Sequence, residues 1–182
     1  MSGRHAPAPR RAGHFDAFDL ARRGASITGL IDAASLPRVT DRLDPEGGDA
    51  RIAWRIVGTV DAQGRPALEV GLNGAVPLVC QRCLQSFSWT AAQRTLLLLA
   101  RDEAELARID AEDEHEVVLG GTPQDAVTLV EDELLLTLPF SPRCDQPECA
   151  EAVARVETEQ PGTSPFGALA EMPRVSPRKA KG

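Results

Sequence analysis

Four cysteines constrain this chain more than any other feature of its sequence. Cys80 and Cys83 form a C-x2-C pair in VCQRCLQSF, and Cys144 and Cys149 form a C-x4-C pair in SPRCDQPEC. These are all the cysteines in 182 residues. Zinc takes four soft or borderline ligands in a tetrahedron, and thiolates serve it well. A C-x2-C brings two sulfurs from one tight turn to one ion, and a distant second pair completes the set if the fold returns it. The interval between the pairs leaves room for a hairpin and a helix. Two other readings stay open: a redox dithiol, and four reduced cysteines holding no ion. A thioredoxin-like C-x2-C opens a helix after a βαβ strand, and the residues around Gln81 and Arg82 offer no such setting. A catalytic zinc fits poorly, because such sites keep three protein ligands and an open position.

The pattern around the cysteines is β-rich. RIAWRIVGTV, residues 51 to 60, places Ile52, Trp54 and Ile56 on one face and Ala53 and Arg55 on the other, which is the period of a half-buried strand. DAQGR then supplies a turn with Gly64, and PALEVGLNG alternates again through Leu68, Val70 and Leu72, so an antiparallel hairpin is expected. NGA at 73 to 75 reads as a second turn, VPLVC as a third short strand, and FSWTAAQRTLLLLAR as a fourth. The first cysteine pair would then sit at the hinge between two strands. An earlier strand is expected near 25 to 31, followed by a short helix in DAASLPRV capped by Asp32. DEAELARID reads as a short helix and HEVVLGG as a short strand.

The main amphipathic helix is expected over about 123–138, within TPQDAVTLVEDELLLTLPF. Thr122 would cap it, Pro123 suits its first turn, and Asp125 complements the N-terminal dipole. Val127, Val130, Leu134 and Leu138 make its apolar stripe, and Pro139 ends it. The second cysteine pair follows on a Pro-rich loop. Residues 1–14 read as a disordered basic arm and 155–182 as a flexible tail, with one docking turn in SPFGALAEM built on Phe166 and Leu169.

The formal charge of −7 argues against a protein that coats nucleic acid through sheer positive charge. That charge is unevenly spread. Residues 1 to 25 hold five arginines, residues 172 to 182 hold four basic residues and no acid, and 101 to 135 hold twelve acids against two arginines. No apolar run reaches the roughly 20 residues of a membrane helix. The opening MSGRHAPAPRRAGH has no apolar stretch after its arginines, so no secretory signal is expected and the cytoplasm is the expected compartment. Cysteines clustered there more often bind metal or do redox chemistry than form structural disulfides.

Little in the chain suggests catalysis. Glu131, Asp132 and Glu133 are consecutive, so on a helix they point in different directions and cannot converge on one substrate. A solvated helix face is the reading that helix geometry favours. His5, His14 and His115 are scattered, and the GG pairs at 47 and 120 are loop punctuation.

VPLVCQRCLQSF, then VEDELLLTLPFSPRCDQPEC, then SPFGALAEM, together resemble the YceD family of bacterial and plastid proteins, over residues 16 to 172. The early FDLARRGASITGLI is similar to that family's opening. By this resemblance Cys80, Arg82 and Cys83 match a C-x-R-C motif, residues 131 to 136 match an acidic helix, and Cys144 and Cys149 match a later pair whose first member is often His. Pro165, Phe166 and Leu169 match a terminal N-P-F-x-x-L, with Ser164 replacing its Asn. The family is associated with accumulation of large-subunit ribosomal RNA.

The expectation is therefore a β-rich α+β fold: a single YceD-like domain over 15–154 with an antiparallel sheet and a zinc knuckle. Cys80, Cys83, Cys144 and Cys149 would bind one structural Zn²⁺. Its function would be non-enzymatic ribosome biogenesis, supporting synthesis, processing or stability of 23S rRNA. Its partners would be components of the assembling large subunit, rRNA or a basic protein, met through Arg82, Glu131, Asp132, Glu133, Pro165, Phe166 and Leu169. Neither a membrane nor a small-molecule substrate is expected. The alternatives are an RNA-processing or RNA-modifying enzyme, or a zinc-stapled structural component of the ribosome.

Overall fold

The computed structural model describes residues 13–147 and 149. By its internal contacts the chain divides into two compact units, 1–143 and 144–182, and the fold that follows is that of the first. The docking turn at Pro165, Phe166 and Leu169, the tail that carries it and the basic arm up to residue 12 lie outside the described residues.

In chain order the elements are β1 (His14–Phe15), α1 (Ala17–Arg23), β2 (Ser26–Asp32), β3 (Arg51–Val60), β4 (Pro66–Val79), β5 (Ser86–Ala100), α2 (Glu103–Glu112), β6 (Glu116–Leu119), β7 (Gln124–Asp125) and α3 (Ala126–Thr137). Five strands form one sheet in the order β2-β3-β4-β5-β6, and β1 pairs with β7 in a separate two-stranded ladder. From β2 to β5 the sheet is an antiparallel meander. β6 instead pairs parallel to β5, because α2 carries the chain back across the sheet as a crossover. The fold is α+β and β-rich, with mixed strand directions.

Alternation in the sequence maps directly onto burial. Ile52, Trp54 and Ile56 on β3 and Leu68, Val70 and Leu72 on β4 are all buried on the inner face, against Leu20 of α1 and Leu129, Val130 and Leu134 of α3. The run TLLLLA does not alternate, and the structure supplies the reason. Leu97 and Leu99 join the main core, while Leu98 and Ala100 pack on the opposite face with Ala67 and Ile109 of α2. That end of β5 is covered on both sides. Elsewhere on the outer face Ala53, Arg55, Asn73, Ala92 and Arg94 are exposed.

Two expectations are corrected here. There is no turn at 73–75: β4 runs unbroken through Asn73 and Gly74, which pair with Ala53 and Ile52 of β3 and with Ala92 and Ala91 of β5. Gly74 is required for close approach rather than for a turn, since a Cβ there would overlap the Arg51 carbonyl. Gly58 does the same for α1, whose Leu20 carbonyl lies where its Cβ would be. The second correction concerns the main helix, which begins at Ala126 and not at 123. Gln124 and Asp125 are extended in the ladder with β1, and Asp125 is the N-cap, accepting from Val127 N at 2.8 Å and Thr128 N at 3.2 Å. Thr122 therefore caps nothing, whereas the helix ends before Pro139 as expected. Asp32 is a cap as read, for a single 3₁₀ turn over Ala33–Ser35, accepting from Ala34 N at 3.0 Å.

Glycines in the same strand should thus respond differently to a methyl group. Gly74→Ala is expected to destabilise the protein by about 2 kcal/mol through overpacking. Gly71→Ala, where the nearest atom to a Cβ is 3.8 Å away, should leave stability unchanged or raise it by up to about 1 kcal/mol. Urea unfolding of the two variants measures this, and equal losses would contradict the packing described.

Candidate metal centre

The β4–β5 connection is a six-residue turn held by its own backbone. Cys80 N donates to Gln85 O at 2.9 Å, and Leu84 N donates to Cys80 O at 2.9 Å. Within it the Arg82 N–H points at Cys80 Sγ, 3.4 Å away. Such a donor favours the thiolate form that a metal requires. Leu84 closes the turn at φ 59°, in the left-handed region. A Cβ in that region costs about 1–2 kcal/mol, and the side chain is left 71% exposed. Strain immediately after the second sulfur of a pair marks a position that the turn demands. Neither Leu84 nor this hydrogen bond was foreseen, because Leu gives no left-handed signal.

Gln81 N, from the same turn, donates to Pro142 O at 2.8 Å, so the segment leaving α3 is bonded to the cysteine hairpin. Just beyond that segment, Cys144 and Cys149 are both buried, and Cys149 N donates to Gln146 O at 3.0 Å. All four cysteine sulfurs lie within 4.8 Å of one another. A tetrahedron with metal–sulfur bonds of about 2.3 Å has edges of about 3.8 Å, within reach by small side-chain rotations. Cys80, Cys144 and Cys149 are buried and Cys83 is half-buried. Four soft donors in a largely buried set fit a thiophilic ion that takes four ligands. Among the described residues no other such group of His, Cys, Asp and Glu is present.

Arg82 contributes through its backbone; its side chain is exposed. The acidic triplet on α3 is not the solvated face that helix geometry favoured. Glu131 is 7% exposed and Glu133 3%. Arg38, in the link between β2 and β3, is the residue that sequence reading missed. Its backbone N meets Glu131 Oε1 at 2.8 Å, and its Nε and one terminal nitrogen meet Oε2 at 3.1 and 3.0 Å. Its other terminal nitrogen meets Asp132 Oδ1 at 2.6 Å. Two neighbouring acids thus do converge, on one guanidinium of the same chain. Across 93 residues no local pattern announces that pair. His115 is a surface residue as read, with Nδ1 2.6 Å from Asp113.

The chain matches over residues 68–178 the family model described as "Large ribosomal RNA subunit accumulation protein YceD". That is 111 of 182 residues. The chain belongs to the YceD family. No curated protein and no solved structure gives a match. The stretch shared with the YceD family starts in β4 and takes in both cysteine pairs and α3, so the sulfur cluster lies wholly inside it. β2 and β3, which extend the sheet, lie before it.

Glu133 gives this region a pH signature. Burial pushes its carboxyl above the ordinary value of 4.5, the Thr95 hydroxyl opposes that shift, and the charges of Glu116 and Asp132 add to it. A carboxyl raised in the folded state binds its proton more tightly there than in the unfolded chain. Its contribution to stability is therefore present at low pH and is lost as pH rises from about 4.5 through the native value. Glu133→Gln is expected to unfold at higher urea than the wild type at pH 7 and to show no advantage at pH 4. A wild type more stable than the variant at pH 7 contradicts this account.

Proposed function

We propose that the protein is a non-enzymatic ribosome-biogenesis factor of the cytoplasm, supporting synthesis, processing or stability of 23S rRNA. One structural Zn²⁺ would be held by Cys80, Cys83, Cys144 and Cys149. The observation that carries the reading is the four-sulfur cluster inside the stretch shared with a family named for large-subunit rRNA accumulation. A bound zinc would supply four coordinate bonds and no open position, which suits a staple rather than a reaction. The chain's own residues support the same view. Glu131 and Asp132 are engaged by Arg38, and the Glu133 carboxyl is buried beside the Thr95 hydroxyl, so the helix presents no convergent carboxylates to a substrate. Partners would be components of the assembling large subunit, either rRNA or a basic protein. Arg82, Asp132 and the docking turn at Pro165, Phe166 and Leu169 are the residues we assign to them.

Depletion followed by quantification of both rRNAs tests this proposal. Large-subunit rRNA should fall relative to small-subunit rRNA. Wild-type protein should restore it, and the Cys80→Ser/Cys83→Ser variant should not. Unchanged rRNA ratios on depletion would overturn the role. Cleavage or modification of precursor rRNA by the purified protein with Mg²⁺ would favour the enzyme reading instead.

A further inference from the structure

The open part of the sheet's outer face has a feature that folding does not explain. Gly71 lies mid-strand in β4, paired on one side with Arg55 of β3 and on the other with Arg94 of β5. The ladder is continuous through it, with no bulge, and its φ is not positive. A Cβ there would meet nothing closer than 3.8 Å. Glycine inside a strand weakens it, and where neither bulge, bend nor packing requires it, it marks a place where a ligand or another backbone approaches closely. Gly71 lies in a shallow, open concavity of about 690 Å³, bounded by Arg55, Val57, Glu69, Asn73, Ala92 and Arg94.

Two guanidinium groups flank that concavity, on Cα positions about 10 Å apart across two strand spacings. Arg55 is exposed and forms no ion pair with any described residue. Arg94 is 79% exposed and reaches Glu69 at 3.7 Å, a loose surface pair that a phosphate can displace. Guanidinium forks match phosphate oxygens bidentately. A peptide partner would want an apolar anchor pocket, and beside the small Ala53 and Ala92 this face offers only the half-buried Val57. The aromatic rings that could stack on bases are turned away: Trp54, Phe87 and Trp89 all pack on the inner core.

We propose that this face, centred on Gly71 between Arg55 and Arg94, docks the phosphate backbone of a ribonucleic acid strand without reading its bases. The assignment rests on the rRNA reading above and names the surface that serves it. The net charge of −7 does not oppose it, since twelve acids are gathered in residues 101 to 135 and Glu69 is the acid lining the concavity.

Fluorescence anisotropy with the full-length protein and a labelled single-stranded RNA of mixed sequence tests the docking. Arg55→Ala/Arg94→Ala should weaken binding by about 10-fold or more at low salt, and lower the slope of log K against log salt by about 1.4. Gly71→Gln places a side chain in the concavity between the two arginines without altering charge and should weaken binding as well. Glu69→Gln should strengthen binding, and Arg108→Ala on α2 should leave it unchanged. Binding by the double variant equal to wild type overturns the surface assignment, as does displacement of the RNA by polyglutamate as readily as by unlabelled RNA. In either case a fall in large-subunit rRNA on depletion would leave the broader role standing.

Discussion

The β4–β5 hairpin is the element on which the rest of this structure depends. Its two strands are the longest in the sheet, paired from Ala67–Leu98 to Val79–Ser86. The register of that pairing is closed by a turn whose residues include Cys80 and Cys83. Slipping β5 by one residue against β4 would exchange its inner and outer faces, burying Arg94 and exposing Leu97. The cysteine turn therefore fixes more than two sulfurs. The Cys80–Gln85 and Leu84–Cys80 bonds, with Leu84 held at φ 59°, hold the same end of the ladder that presents the thiols.

From this hairpin outward, each layer has a distinct reason to be where it is. α1 rests on β3 because Gly58 has no side chain to hold it off. α3 covers the inner face with Leu129, Val130, Leu134 and Leu138 and is clamped to the β2–β3 link through Arg38. The Glu131 pair is nearly buried on the acid side and half-exposed on the arginine side. α2 covers one end of the outer face, where β5 is apolar on both sides, and leaves the other end open. The Gln81–Pro142 bond joins the exit from α3 to the cysteine turn, so α2 and α3 are both referenced to the hairpin directly.

Most of this architecture was legible because period-two alternation in β3 and in the first half of β4 leaves little choice of face. The cysteine pairs were legible as a set, and the structure brings their sulfurs together. What escaped reading shares one cause: it depends on partners distant in sequence. Asn73-Gly74 is a turn signal taken alone, yet the close approach of Arg51 turns it into strand. Asp125 replaces Thr122 as cap because His14 and Phe15 hold the preceding residues extended. Glu131 and Glu133 look solvated in a one-dimensional reading, and only Arg38 and Thr95 show how they can be buried. The parallel pairing of β6 follows from a crossover whose helix and strand were both anticipated, but whose direction was not.

The central claim is that four thiolates from two distant pairs share one zinc ion. X-ray absorption at the zinc edge, on full-length protein purified under reducing, chelator-free conditions, tests it directly. The account predicts one zinc per chain with a first shell of four sulfurs at about 2.3 Å. Protein that carries no zinc, or zinc whose shell contains nitrogen or oxygen in place of any of the four sulfurs, would contradict it.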